Sequence, residues 1–149
     1  MGRSKKPQKF LTPQETEAIQ QRIKDLEKIT SAEIKFVITR YCWIDIKKKA
    51  VKIFKKFNLY KTKDRNCVLI LLVTTNQEFV VYGDRGITEK VGDNFWKDAA
   101  AIMNKKFQED KFGEGICIAI ELIGEKLIKY FPLSEDNKNE ISDKVGFDA

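Results

Sequence analysis

Two short loops carry most of the side chains that could do chemistry in this 149-residue chain. One is Lys63-Asp64-Arg65-Asn66. The other is Gly83-Asp84-Arg85-Gly86, followed closely by Glu89 and by Gly92-Asp93-Asn94. Carboxylates, an Asn amide and glycine-bearing loops are the donor set of a hard divalent cation such as calcium, which takes six to eight oxygen ligands. Carboxylates held close together repel unless a cation or basic groups neutralise them. Asp64, Asn66, Asp84, Glu89 and Asp93 are therefore the candidate metal ligands, and Arg65 and Arg85 the candidate anion-binding groups. The same residues also admit a plainer reading. Asp93 beside Gly92 is a good helix cap, Asp84 can satisfy turn amides, and Asp64 can pair with Lys63, Arg65 or Arg85.

Other chemistries are excluded by what is missing. The chain has no histidine, which removes Ser-His-Asp and Cys-His catalysis and histidine zinc sites. Cys42, Cys67 and Cys117 are scattered, so they build neither a disulfide framework nor a CxxC knuckle. No GxxxxGK[ST], GxGxxG or GxSxG motif occurs. None of the three cysteines has an Arg six residues on, as a cysteine phosphatase loop needs, and no Asp-x-Asp pair offers an aspartyl nucleophile.

A second chemical feature is a basic block. Residues 45–65 hold nine lysines and arginines against Asp45 and Asp64, within a net charge of +6 for the chain. Such a patch can track nucleic-acid phosphates or an anionic surface. It reads first as a solvated helix face, because Tyr41, Trp43 and Tyr60 flank the lysines rather than alternate with them.

The elements that must position these groups follow from periodicity. Thr12-Pro-Gln-Glu15 reads as a capping box opening a helix with Ile19, Ile23, Leu26 and Ile29 on one side. Residues 33–39 alternate as a strand. Asp45 caps a second helix with Ile46, Ala50, Ile53, Phe54 and Phe57 as its stripe. The run Cys67–Val73 is apolar on both faces, which predicts a central strand covered on both sides. Residues 74–77 turn the chain into a strand at 78–82. A hairpin centred between Thr75 and Asn76 places Cys67 opposite Asp84, so both acidic loops meet at one end of the sheet. A short turn at 87–91 and helices over 93–107 and 116–130 complete the order, with a break at 111–115. The first two strands, joined by a helix, should be parallel with a right-handed crossover. The fold class is α/β: a three-layer α/β/α sandwich with a small mixed sheet flanked by helices. Three strands are visible, and a small fourth is compatible with the pattern. The charge distribution sets the expected domain limits, namely a basic flexible N-terminus at 1–9, the folded domain at 10–132 and an acidic, disordered tail at 133–149.

The segments Leu59-Tyr-Lys-Thr-Lys-Asp-Arg-Asn-Cys-Val-Leu-Ile70, Gly83-Asp-Arg-Gly-Ile87 and Val91-Gly-Asp-Asn-Phe-Trp96 occur in that order and resemble the TPM domain family. Leu11-Thr-Pro-Gln-Glu15, Thr30-Ser-Ala-Glu-Ile34 and Phe112-Gly-Glu-Gly115 fit the same pattern, over roughly 10–132. Cys67 stands where the family pattern has a small residue, usually glycine. The family groups a thylakoid-lumen acid-phosphatase-like protein, a photosystem II repair factor and an auxiliary protein of a nematode acetylcholine receptor. The resemblance implies an α/β/α sandwich, links to divalent metals and to acid phosphatase activity, and matches Asp64, Asp84 and Asp93 to the family's acidic loops.

Loops and resemblance together give the leading expectation: a stand-alone TPM domain that binds one or two divalent ions, Ca²⁺ first, with a regulatory or interaction role. The alternative is a metal-assisted phosphatase acting on phosphomonoesters, with Arg65 and Arg85 on the phosphate. The second alternative is binding of nucleic acid or an anionic surface through the helix at 46–57. An unidentified protein is the expected partner, and nucleic acid is not. The basic start lacks an apolar stretch and the longest apolar run is Cys67–Val73, so no signal peptide or membrane anchor is read, and the expected setting is cytoplasmic.

Overall fold

A computed structural model describes residues 3–133 and 140–148, apart from the side chains of Asp93 and Phe95. Strand β1 (Glu33–Thr39) is buried along its whole length, and so is β2 (Cys67–Val73). They pair in parallel, Glu33 with Cys67 through Thr39 with Val73. Strand β3 (Glu78–Gly83) returns antiparallel to β2, with Val68 opposite Gly83. A short β4 (Gly146–Asp148) lies parallel to the other edge of β1, giving the order β3-β2-β1-β4.

The helices explain why both faces of β2 are apolar. Helix α1 (Pro7–Phe10), α2 (Pro13–Glu27), α5 (Lys97–Gln108) and α6 (Phe112–Tyr130) share one core with Ile34, Phe36, Ile38, Val68, Ile70 and Leu72. The opposite face, Val37, Cys67, Leu69 and Leu71, is covered by Ala50, Ile53 and Phe54 of α3 (Ile46–Lys56) together with Leu59 and Ile141. Period-two alternation in the strands separates these two cores residue by residue. The expected α/β/α sandwich is present, with its layers unequal. The remaining elements are α4 (Arg85–Val91) and 3₁₀ turns at Leu59–Lys61 and Asp93–Trp96.

The caps follow the sequence. Thr12 Oγ1 accepts from Glu15 N at 3.1 Å and Glu15 Oε1 accepts from Thr12 N at 2.9 Å. Asp45 Oδ2 accepts from Lys47 N at 3.1 Å.

One expectation is corrected, and contacts of the two terminal segments are added, residues 1–2, 134–139 and 149 lying outside the described residues. The break at 111–115 is instead the first turn of α6. Gly113 lies so close to Glu15 that a Cβ there would sit 2.6 Å from its Cγ, and Gly113 N donates to Glu15 Oε2 at 3.0 Å. The N-terminal segment 1–9 is not loose throughout, because Arg3 donates to Glu15 Oε1 at 2.6 Å and to the Phe10 carbonyl at 3.0 Å, its guanidinium over the Phe112 ring. Nor is the acidic segment 133–149 a free tail where it is described. Val145 N donates to Gln20, Lys35 Nζ donates to the Lys144 carbonyl, and Asp148 accepts from Thr39 Oγ1 at 2.8 Å. Too little local apolar pattern marks residues 140–148; their order comes from pairing with the edge of β1, from burial of Ile141 and Val145 in the two cores, and from long-range hydrogen bonds that include the buried Asp148 carboxylate.

Candidate functional site

The two acidic loops meet as the hairpin register requires. Asp84 N donates to the Cys67 carbonyl at 3.0 Å, and Gly86 N donates to the Arg65 carbonyl at 2.8 Å. Gly86 is needed there, since a Cβ would stand 2.1 Å from the Asp64 carbonyl oxygen and 2.7 Å from that of Arg65. Loop 62–66 is held from behind. Arg65 N donates to the Thr62 carbonyl, Asn66 N to Thr62 Oγ1, and Glu33 N to the Asn66 carbonyl, which ties the loop to β1.

Asp84 is the centre of the junction. It is buried, and as the cap of α4 its Oδ1 accepts from Arg85 N at 2.7 Å. The Arg65 guanidinium grips the same carboxylate, Nε to Oδ2 at 2.8 Å and Nη2 to Oδ1 at 3.0 Å. A planar fork on a carboxylate is the strongest common form of ion pair. The Arg65 side chain is 33% exposed and lies over the Tyr60 ring at 4.9 Å. Its backbone is left-handed, φ 51°. The hydrogen bond to Asp84 raises the Arg65 guanidinium above its ordinary value.

The other expected residues divide. Asp64 and Glu89 are exposed and line one cleft of about 370 Å³ with Ser31, Gly86, Lys90 and Phe131. Lys90 Nζ stands over the Phe131 ring at 4.9 Å. Glu89 also faces Arg85, Nε to Oε1 at 3.9 Å, along one turn of α4. Asn66 is buried, and its amide donates to the Ser31 carbonyl at 3.2 Å. Asp93 opens the 3₁₀ turn that follows Gly92, and its side chain lies outside the described residues. Glu140 is an acidic group that sequence reading placed in the tail; its carboxylate accepts from Lys63 N at 3.3 Å. No signal near Glu140 announces this contact.

The donors fit a hard cation in kind, being oxygens on two adjoining loops. They do not yet fit one in arrangement. Among the described residues no three His, Cys, Asp or Glu side chains gather as a metal-holding group, and Asp84 is engaged by Arg65. The Arg65 guanidinium is engaged by Asp84, whereas Arg85 meets Glu89 only across 3.9 Å at an exposed surface. Cys67 behind the junction is fully buried, and burial pushes its thiol well above its ordinary value, so it offers no thiolate. A larger open groove of about 850 Å³ between α1, α2 and Phe147 is lined by Lys9, Thr12 and Glu17, away from these loops.

The sandwich and its paired loops define a small α/β/α domain, and comparison places it. The TPM domain family matches residues 4–126, and the chain belongs to that family. It is similar in structure to the BA42 protein of the psychrophilic bacterium Bizionia argentinensis, solved by NMR. The two share 34% identity and a TM-score of 0.89, over 97% of this chain and 100% of that one. The N-terminal domain of a P. gingivalis protein, also solved by NMR, has a TM-score of 0.68 at 14% identity, over 84% of this chain and 83% of that one, a likeness of fold alone. No curated protein matches the sequence. No helix among the described residues is long and apolar enough to cross a membrane.

Proposed function

We propose that this TPM domain is a cation-responsive binding module, in which a divalent ion of the calcium type takes the place of the Arg65 guanidinium at the junction of loops 62–66 and 84–93. One observation carries the reading: a buried carboxylate, Asp84, whose counter-charge among the described residues is one partly exposed arginine from the neighbouring loop. A carboxylate in that setting needs a cation, and it accepts either kind. Asp64 and Glu89 border the adjoining cleft, and Asn66 and Asp93 are the further oxygen donors on the same loops. Bound there, the ion would supply charge neutralisation and a tie between the loops. Release of Arg65 would change the surface at Tyr60 and so give the module a regulatory or interaction role. The phosphatase reading gains no observation from the paired arginines.

The test is a calcium titration of the chelator-treated full chain followed by amide NMR. Saturable shifts at 60–66 and 83–95 are expected, with the Arg65 Nε signal leaving its Asp84-bonded position. No shifts at millimolar calcium would overturn the reading.

A further inference from the structure

At the opposite end of the sheet from the acidic loops, the chain leaves β1 and enters α3 through Tyr41-Cys42-Trp43-Ile44-Asp45. Trp43 is 86% exposed. Its ring stacks on Tyr41, centroids 5.4 Å apart and planes 13° apart, so the indole is held out in water by a second aromatic ring rather than folded onto the core. Trp43 is thus a large rigid aromatic left in solvent, with Ile44 40% exposed next to it in the chain and Val51 41% exposed on α3.

The helix that follows supplies the charge. Helical spacing puts Lys48, Lys52 and Lys55 on the side opposite Ala50, Ile53 and Phe54, with Val51 on the flank between the two faces. All three lysines are exposed, and none forms an ion pair among the described residues. The contrast lies on the flank of the same helix, where Lys49 and Lys56 are both spent on Asp148. The outward row is thus an unneutralised line of ammonium groups whose amino end is marked by an exposed Trp.

We infer that this surface docks reversibly on an anionic lipid bilayer. Indole prefers the headgroup layer, where its apolar ring is sheltered and its N–H stays wet. Ile44 and Val51 gain from the acyl boundary, and flexible lysine stems reach anionic headgroups while leaving their ammonium groups hydrated. Nucleic acid fits the same residues less well. α3 carries no arginine to fork a phosphate, and the exposed aliphatic pair has no counterpart on a sugar-phosphate backbone. This docking rests on other residues than the cation site and stands or falls apart from it.

The test is co-sedimentation of the full chain with phosphatidylcholine vesicles, with and without about 30% phosphatidylserine, at low and physiological salt. Binding to the phosphatidylserine vesicles alone, weakening as salt rises, is expected. A blue shift of tryptophan emission should accompany binding and vanish in Trp43→Phe. Charge reversal at Lys48, Lys52 and Lys55 together should lower partitioning at least about tenfold, and Trp43→Ala should lower it at unchanged net charge. The wild-type comparison of the two vesicle types does not depend on any variant folding. Equal partitioning to both vesicles, no partitioning at all, an unshifted emission on binding, or tighter binding to a DNA oligonucleotide at the same salt would each overturn the inference.

Discussion

Arg65 holds Asp84 through two parallel hydrogen bonds, Nε to Oδ2 at 2.8 Å and Nη2 to Oδ1 at 3.0 Å, and this pair joins the loop before β2 to the helix after β3. Asp84 meanwhile caps α4 through the Arg85 amide. The same carboxylate thus has a backbone role and a charge role, and substitutions can separate them.

Asp84→Asn keeps a good helix cap and removes the charge. It should leave the fold intact and abolish calcium response. Asp84→Ala loses both, and should cost about 1 kcal/mol more than the Asn variant from the cap alone. Urea melts of the two variants with and without calcium check this.

Gly86 marks the closest approach of the loops. Gly86→Ala places a methyl against two backbone carbonyls that cannot step aside cheaply. A loss of about 1–3 kcal/mol is expected, with shifts spreading through 62–66 as well as 84–91. Chemical denaturation with amide NMR would show it, and an unperturbed loop 62–66 would contradict the contact.

Asp148 closes the other edge of the sheet, accepting from Thr39 Oγ1 and paired with Lys49 and Lys56. Burial works against its charge, but the hydrogen bonds from Lys56, Thr39 and Lys49 outweigh that and hold its carboxyl below the usual range. Asp148→Asn should cost about 1–3 kcal/mol and release β4, seen as faster amide exchange at 146–148.

Stability should pass through a maximum in mildly acidic solution. Burial raises Glu27 to about 8 and Glu33 to about 7, from an ordinary value of 4.5. A raised carboxylate favours the folded state while protonated, so that contribution is complete below about pH 4.5 and is lost as pH climbs through 7 and 8. Glu33 and Asp143 push Glu27 up, while Lys35 and the Ile34 amide pull it down. Asp148 and Glu15 run the other way: their carboxyls are lowered, so their contribution is lost as pH falls below the usual carboxylate range. Thermal melts across pH should decline on both sides, and Glu27→Gln should flatten the alkaline side.

Much of this architecture was readable before any coordinates. The apolar faces of β2, the capping box at Thr12 and the hairpin centre are local patterns, and the last put Cys67 opposite Asp84 as the structure has it. The junction of the two loops follows from that register. The partnership inside the junction did not, because the pattern offered Arg65 to Asp64 and gave Asp84 only turn amides or a metal, and only side-chain geometry puts Arg65 on Asp84. Residues 140–148 were illegible for another reason. Their order depends on Gln20, Glu33, Lys35 and Thr39, each a hundred or more positions away in sequence. Sequence pattern placed Trp43 only as a flank of the lysine block, and its exposure and its stacking on Tyr41 needed the three-dimensional structure.

The proposed competition is between Arg65 and a divalent ion for Asp84. It is tested most directly by calcium titration of the wild type and Arg65→Gln side by side, read by amide shifts at 60–66 and 83–95. Removing the competitor should tighten calcium binding by about tenfold, since the competent state no longer has to be freed of the guanidinium. Binding that is absent from the wild type, or lost rather than tightened in Arg65→Gln, would contradict the account.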